Sequence, residues 1–237
     1  MTSFFRSKAF VAATAPLLLI AACSDDATAP PAPNSAQAGP VDTPRPLGDE
    51  RLIVAFGDSL YAGYGLGKGE SLPARLESRL RQSGINATVI NAGVSGDTSA
   101  AGRQRLAFTL DGLRRAPDLV ILGLGANDAL RQLPAAQTKT EMTAMMDELK
   151  RRNIPVLLTG MRAPPNLGPD YAASFERIWP DLAARDGAGL YPFILDNVIT
   201  DPALMQRDGI HPTAAGVDRM AQGIAPLAIK ALPTKAL

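Results

Sequence analysis

The chain has 237 residues, 46% apolar and 20% charged, with 24 Lys and Arg against 23 Asp and Glu for a formal net charge of +1. Its length allows one large domain with a substantial core, and the charge balance excludes a long-range field that would draw nucleic acid or an anionic bilayer. One cysteine and one histidine exclude an internal disulfide and a Cys/His zinc cluster, so chemistry with no metal and no cofactor is expected.

At the amino terminus Arg6 and Lys8 precede an apolar stretch from Ala9 to Ala22, too short for a mature membrane span and shaped as a secretory signal over residues 1–22. Its end, Ile20-Ala21-Ala22-Cys23, is similar to a bacterial lipobox, in which cleavage frees the cysteine for lipid attachment; Ser24 fits sorting to the outer membrane. From there to Gly48 the chain is dominated by Pro, Ala and small polar residues, which bury too little surface to offset their ordering entropy. Residues 23–48 read as a lipidated cysteine and a tether with a reach of roughly 70 Å if extended. A folded domain over 49–237 would then stand at the bacterial cell envelope, anchored by Cys23 to the outer membrane and facing the periplasm.

Past Arg51, short apolar runs alternate with amphipathic stretches, the pattern of βα units around a parallel sheet. Five buried strands are predicted at Leu52–Phe56, Ala87–Asn91, Leu119–Leu124, Pro155–Thr159 and Gly189–Phe193. Leu72, Leu76 and Leu80 keep helical spacing, as do Met142, Met145, Met146 and Leu149, and then Val217, Met220, Ile224 and Leu227. Helix-spaced methionines are usually core filler, so that stripe is expected inside. Pro212 suits the first position of the last helix, which puts His211 at an N-cap-like site where the helix dipole disfavours imidazolium.

In an open parallel sheet, reactive groups gather beyond the carboxyl ends of the strands. The first strand runs into Gly57-Asp58-Ser59-Leu60, the second into Asn91-Ala92-Gly93-Val94-Ser95-Gly96-Asp97 and the third into Gly125-Ala126-Asn127-Asp128. Asp208-Gly209-Ile210-His211, near the end, holds the single histidine. Acyl transfer needs a hydroxyl nucleophile, a base, a group that orients the base, and donors for an oxyanion. Ser59, His211 and Asp208 are candidates for the first three roles. The backbone N–H groups of Ser59 and Gly96 and the side-chain amide of Asn127 are candidate oxyanion donors. Taken singly, Ser59 and Asn127 also suit plain turn positions and His211 a surface one. Ser95, Asp97, Thr98 and Asp128 read as loop or capping residues.

These four blocks, in this order, resemble those of the SGNH/GDSL hydrolase superfamily. Gly160-Met161-Arg162-Ala163-Pro164-Pro165-Asn166-Leu167-Gly168 is similar to the branch of bacterial arylesterases and thioesterase I/lysophospholipase L1. The resemblance covers Arg51 to Leu232. It implies a three-layer α/β/α sandwich of flavodoxin-like type and a metal-free serine esterase forming an acyl-Ser59 intermediate. Aryl and short- to medium-acyl esters are the implied substrates, with thioesters or lysophospholipids as additions.

Leu66, Arg162 and Pro164, in the loops after the first and fourth strands, are expected to border the acyl site. Ala126 stands where many relatives have glycine, and Leu72 where an aromatic residue often precedes the proline, a departure that bears on the acyl pocket. Two rivals are deacetylation of envelope or polysaccharide sugars and non-catalytic binding of lipid or glycan. The complete set of Ser59, Asp208 and His211 argues against pure binding. A phosphate loop is excluded because Ala62 and Gly69 occupy positions where a Walker pattern needs glycine and Ser or Thr, and no Gly-x-Ser-x-Gly elbow frames Ser59.

Overall fold

Five strands, β1 (Arg51–Gly57), β2 (Ala87–Gly93), β3 (Leu119–Gly123), β4 (Val156–Thr159) and β5 (Gly189–Tyr191), pair in parallel in the order β2-β1-β3-β4-β5. This is the flavodoxin-like order, whose switch point lies between β1 and β3. The computed structural model describes residues 43–234. The expected signal segment, Cys23 and most of the expected tether lie outside the described residues. The described end of the segment read as a tether packs on the domain, where Thr43 pairs with Ser78 at 2.6 Å and Asn86 donates to the Gly48 carbonyl at 2.8 Å.

Side chains alternate across the strands, so each face has its own core. Ile53, Ala55, Leu119, Ile121 and Leu157 pack under α2 (Leu72–Gln82) and α8 (Ala214–Ala231), against Leu76, Leu80, Val217 and Met220. On the other face, Val54, Phe56, Val120, Leu122 and Leu158 meet α3 (Ser99–Asp111), α5 (Ala135–Arg151), α6 (Pro169–Glu176) and α7 (Ile178–Asp186). Helices on both faces give the three-layer α/β/α sandwich expected from the sequence. Met142, Met145, Met146 and Leu149 are all core; burying a side chain of this size contributes roughly 1.5–3 kcal/mol. Leu72 is buried in the α2/α8 core, so its departure from the aromatic pattern falls in packing rather than in an acyl pocket.

The strand ends differ from prediction by a residue or two. β5 stops at Tyr191, whose carbonyl takes the Gly160 N–H at 2.8 Å; past Pro192 the next bond, from the Ile194 N–H to the Gly160 carbonyl at 2.9 Å, is one residue out of the strand register. The start of α8 requires a correction. Thr213 is its N-cap, accepting from the Gly216 N–H at 3.3 Å, while Pro212 bridges to Met205. A hydroxyl caps a helix better than an imidazole, so His211 stands two residues ahead of the cap and the dipole argument for it lapses.

Candidate active site

The register sets Gly57 opposite Gly93 on one side and Gly123 on the other, so three strands end level beneath one cleft. Beyond Gly57, Asp58 caps the short helix α1 (Ser59–Ala62) through its Oδ1, which accepts the Leu60 N–H at 3.0 Å. Gly63, at φ 86°, ends α1 after a single turn, leaving Ser59 at its first position.

His211 reaches Ser59 across 152 residues of chain, its Nε2 lying 2.9 Å from Ser59 Oγ. On its other side Nδ1 is 2.6 Å from Asp208 Oδ2, and Asp208 Oδ1 accepts the N–H groups of Ile210 (2.9 Å) and His211 (3.0 Å). Gly209 turns through φ 67° to let the carboxylate face both. The backbone N–H of His211, followed by its ring, lowers the Asp208 carboxyl to about 2, so this orienting group is ionised. Tyr64 lies over the imidazole, ring centres 4.4 Å apart and planes at 32°.

The predicted donors lie on the neighbouring strand ends. Gly96 has φ 86°, and its carbonyl takes Arg131 Nη2 at 2.8 Å. Asn127 is the second residue of α4 (Ala126–Leu130), with its Nδ2 on the Asp97 carbonyl at 2.9 Å. That bond uses one of the amide's two hydrogens and leaves the other for a ligand. Asp128 is buried and accepts from Ser99 and Thr138, Asp97 pairs with Arg105, and Thr98 caps α3. Asp97, Thr98 and Asp128, three of the four polar residues read as structural from the sequence, therefore have structural partners.

A cleft of about 480 Å³ opens over Ser59, Asn127 and His211. Leu60, Leu130, Met161, Phe193 and Ile210 make its wall apolar. Arg162 and Pro164 line this cleft, and the Arg162 guanidinium lies 4.7 Å over the Phe193 ring. Leu66 is a correction, for it does not line the cleft. Its N–H returns to the Gly63 carbonyl at 3.1 Å, and the turn packs its side chain against the α2/α8 core. A larger hollow, about 780 Å³, lies at the opposite edge of β4 and β5 beside Lys150, Asn153 and Lys230, with none of the candidate residues in its wall. Among the described residues no cluster of three or more His, Cys, Asp or Glu could hold a metal ion.

Residues 55–219, a span containing Ser59, Gly96, Asn127, Asp208 and His211, match the GDSL-like lipase/acylhydrolase family. The chain belongs to that family. The arylesterase of Vibrio mimicus is 39% identical over 183 residues, covering 77% of this chain and 90% of that protein. Esterase TesA of Pseudomonas aeruginosa is 37% identical over 176 residues, covering 74% and 87%. Among solved structures, AlinE4, described as an SGNH-hydrolase family esterase, is 53% identical with a TM-score of 0.67, covering 79% of this chain and all of that one. The resemblance to bacterial arylesterases stated from the motifs thus holds along the GDSL-family domain. Two neighbours of the site were not singled out from the sequence. Asp58 enters the sequence reading only as part of Gly57-Asp58-Ser59-Leu60, and Tyr64 carries no signal of its own in the sequence.

Proposed function

We propose that this GDSL-family chain hydrolyses carboxylic esters of aryl and short- to medium-length acyl groups through an acyl-Ser59 intermediate. The observation that carries this reading is the continuous relay from Ser59 Oγ to His211 Nε2 (2.9 Å) and from His211 Nδ1 to Asp208 (2.6 Å), open to an apolar cleft.

Ser59 Oγ attacks the ester carbonyl as His211 Nε2 takes its proton, and ionised Asp208 steadies the imidazolium that forms. The carbonyl oxygen becomes an alkoxide held by the N–H groups of Ser59 and Gly96 and the free hydrogen of the Asn127 amide; losing one such donor typically costs about 2.7–4 kcal/mol in the barrier. Collapse expels the alcohol, which takes the proton from His211. Water then repeats the sequence on the acyl-serine, releasing acid and restoring Ser59. Thioesters and lysophospholipids offer the same carbonyl and apolar chain, and we read them as additional substrates. An apolar wall gives a polyhydroxylated sugar few partners, which disfavours sugar deacetylation.

The test is a pre-steady-state assay with p-nitrophenyl acetate and butyrate. The account expects a burst of one nitrophenol per chain followed by turnover, both abolished in Ser59→Ala; a fully active variant would overturn it. We also infer export and lipidation, supported by Arg6 and Lys8 before the apolar stretch and by Cys23 closing a lipobox-like segment. Radiolabelled palmitate should enter the wild-type chain and not Cys23→Ser, and equal labelling of both would refute the anchor.

A further inference from the structure

Arg105, on α3, is 20% exposed, and all three of its guanidinium nitrogens are engaged. Nε donates to Asp97 Oδ2 at 2.6 Å, Nη1 to the Ala92 carbonyl and Nη2 to the Gly57 carbonyl, each at 2.9 Å, while the group lies 3.9 Å from the Phe56 ring centre. The acceptors come from three segments. Gly57 ends β1 two residues before Ser59, Ala92 is the penultimate residue of β2, and Asp97 follows Gly96. Asp97 extends the set, because its carbonyl holds the Asn127 amide at 2.9 Å. One side chain therefore connects, directly or through Asp97, the segments bearing Ser59, Gly96 and Asn127.

We propose that Arg105, acting through Asp97 and the ends of β1 and β2, is the positioning residue that sets the spacing of the oxyanion donors. The inference rests on the acyl-Ser59 reading. Three acceptors in different directions suit the planar, five-donor guanidinium, and a lysine ammonium cannot reach them all in that plane. Arg105 does not border the substrate cleft. Losing it therefore disturbs an interaction made chiefly with the transition state, which lowers kcat and leaves KM nearly unchanged.

The experiment compares Arg105→Lys and Arg105→Met with wild type on p-nitrophenyl butyrate, each also in an Asn127→Ala background, with thermal unfolding of every variant to confirm folding. The expected result is a fall in kcat of roughly ten- to a hundredfold with KM changed less than about threefold, since small misplacements at a reacting centre cost about that much. In the Asn127→Ala background the same substitutions should cost clearly less than in the wild-type background, because one of the three donors whose spacing they set is already gone. Equal proportional losses in both backgrounds, or a raised KM at unchanged kcat, would overturn the proposal. Should Arg105→Met not fold, Arg105→Lys supplies both comparisons. Turnover that survives Ser59→Ala would defeat the underlying reading instead, which separates the two failures.

Discussion

Asp58 stands beside Ser59, 1% exposed, with Oδ2 buried and without a hydrogen-bond partner among the described residues. Burial pushes its carboxyl from 3.8 up to about 7, against the lowering pull of the Leu60 N–H and of His211. The folded chain thus keeps a proton that the unfolded chain has released, so stability falls as pH rises from about 4 to about 7 and levels off above. At about 1.4 kcal/mol per unit, the full effect is on the order of 4 kcal/mol. Asp208 works in the opposite direction. Its carboxyl is lowered to about 2, so its contribution is complete above about 4 and is lost only as pH falls toward 2. Between pH 5 and pH 8 Asp58 is the carboxyl of the two that titrates. Asp58→Asn keeps an acceptor for the Leu60 N–H and removes the titration. We expect its urea midpoint to exceed that of wild type most at pH 8, with the gap narrowing to roughly a third of that at pH 5. Parallel curves would mean that Asp58 holds no such proton.

At the scale of elements, the level ends of β1, β2 and β3 are what place α1. A Cβ on Gly123 would lie 2.2 Å from Thr159 Oγ1 and 2.5 Å from Tyr61 Oη, two atoms that bond each other at 2.8 Å under the helix carrying Ser59. Gly123→Ala must displace Tyr61, and overpacking of this kind costs about 1–3 kcal/mol. Urea denaturation should show that loss together with a drop in kcat; an unchanged midpoint would show that the row of glycines has room to spare. Most of this layer was legible beforehand. Apolar runs gave the five strands, and the spacing of Leu76, Met142 and Val217 gave the helix faces, because both patterns reflect burial directly. Helix starts were less legible. Pro212 and Thr213 are both good start signals, and the bridge from Pro212 to Met205, a tertiary contact, decides between them.

For the whole molecule, the site is assembled from strand ends far apart in sequence, and Ser59, Gly96, Asn127 and Asp208-Gly209-Ile210-His211 could be found because each short polar block follows an apolar run or surrounds the single histidine. Arg105 could not be found that way. A charged residue within a helix carries the same pattern whether its side chain meets solvent or three carbonyl and carboxylate oxygens across the sheet. Leu66 failed for a related reason, since nearness in sequence to Ser59 does not fix which side of a glycine turn an apolar side chain takes. The most direct test of the central claim is to treat the chain with a p-nitrophenyl alkylphosphonate and locate the adduct by mass spectrometry of the peptides. The account predicts one phosphonyl group per chain, on Ser59, formed far more slowly in His211→Ala. An adduct on another residue, or equal labelling rates in wild type and His211→Ala, would contradict it.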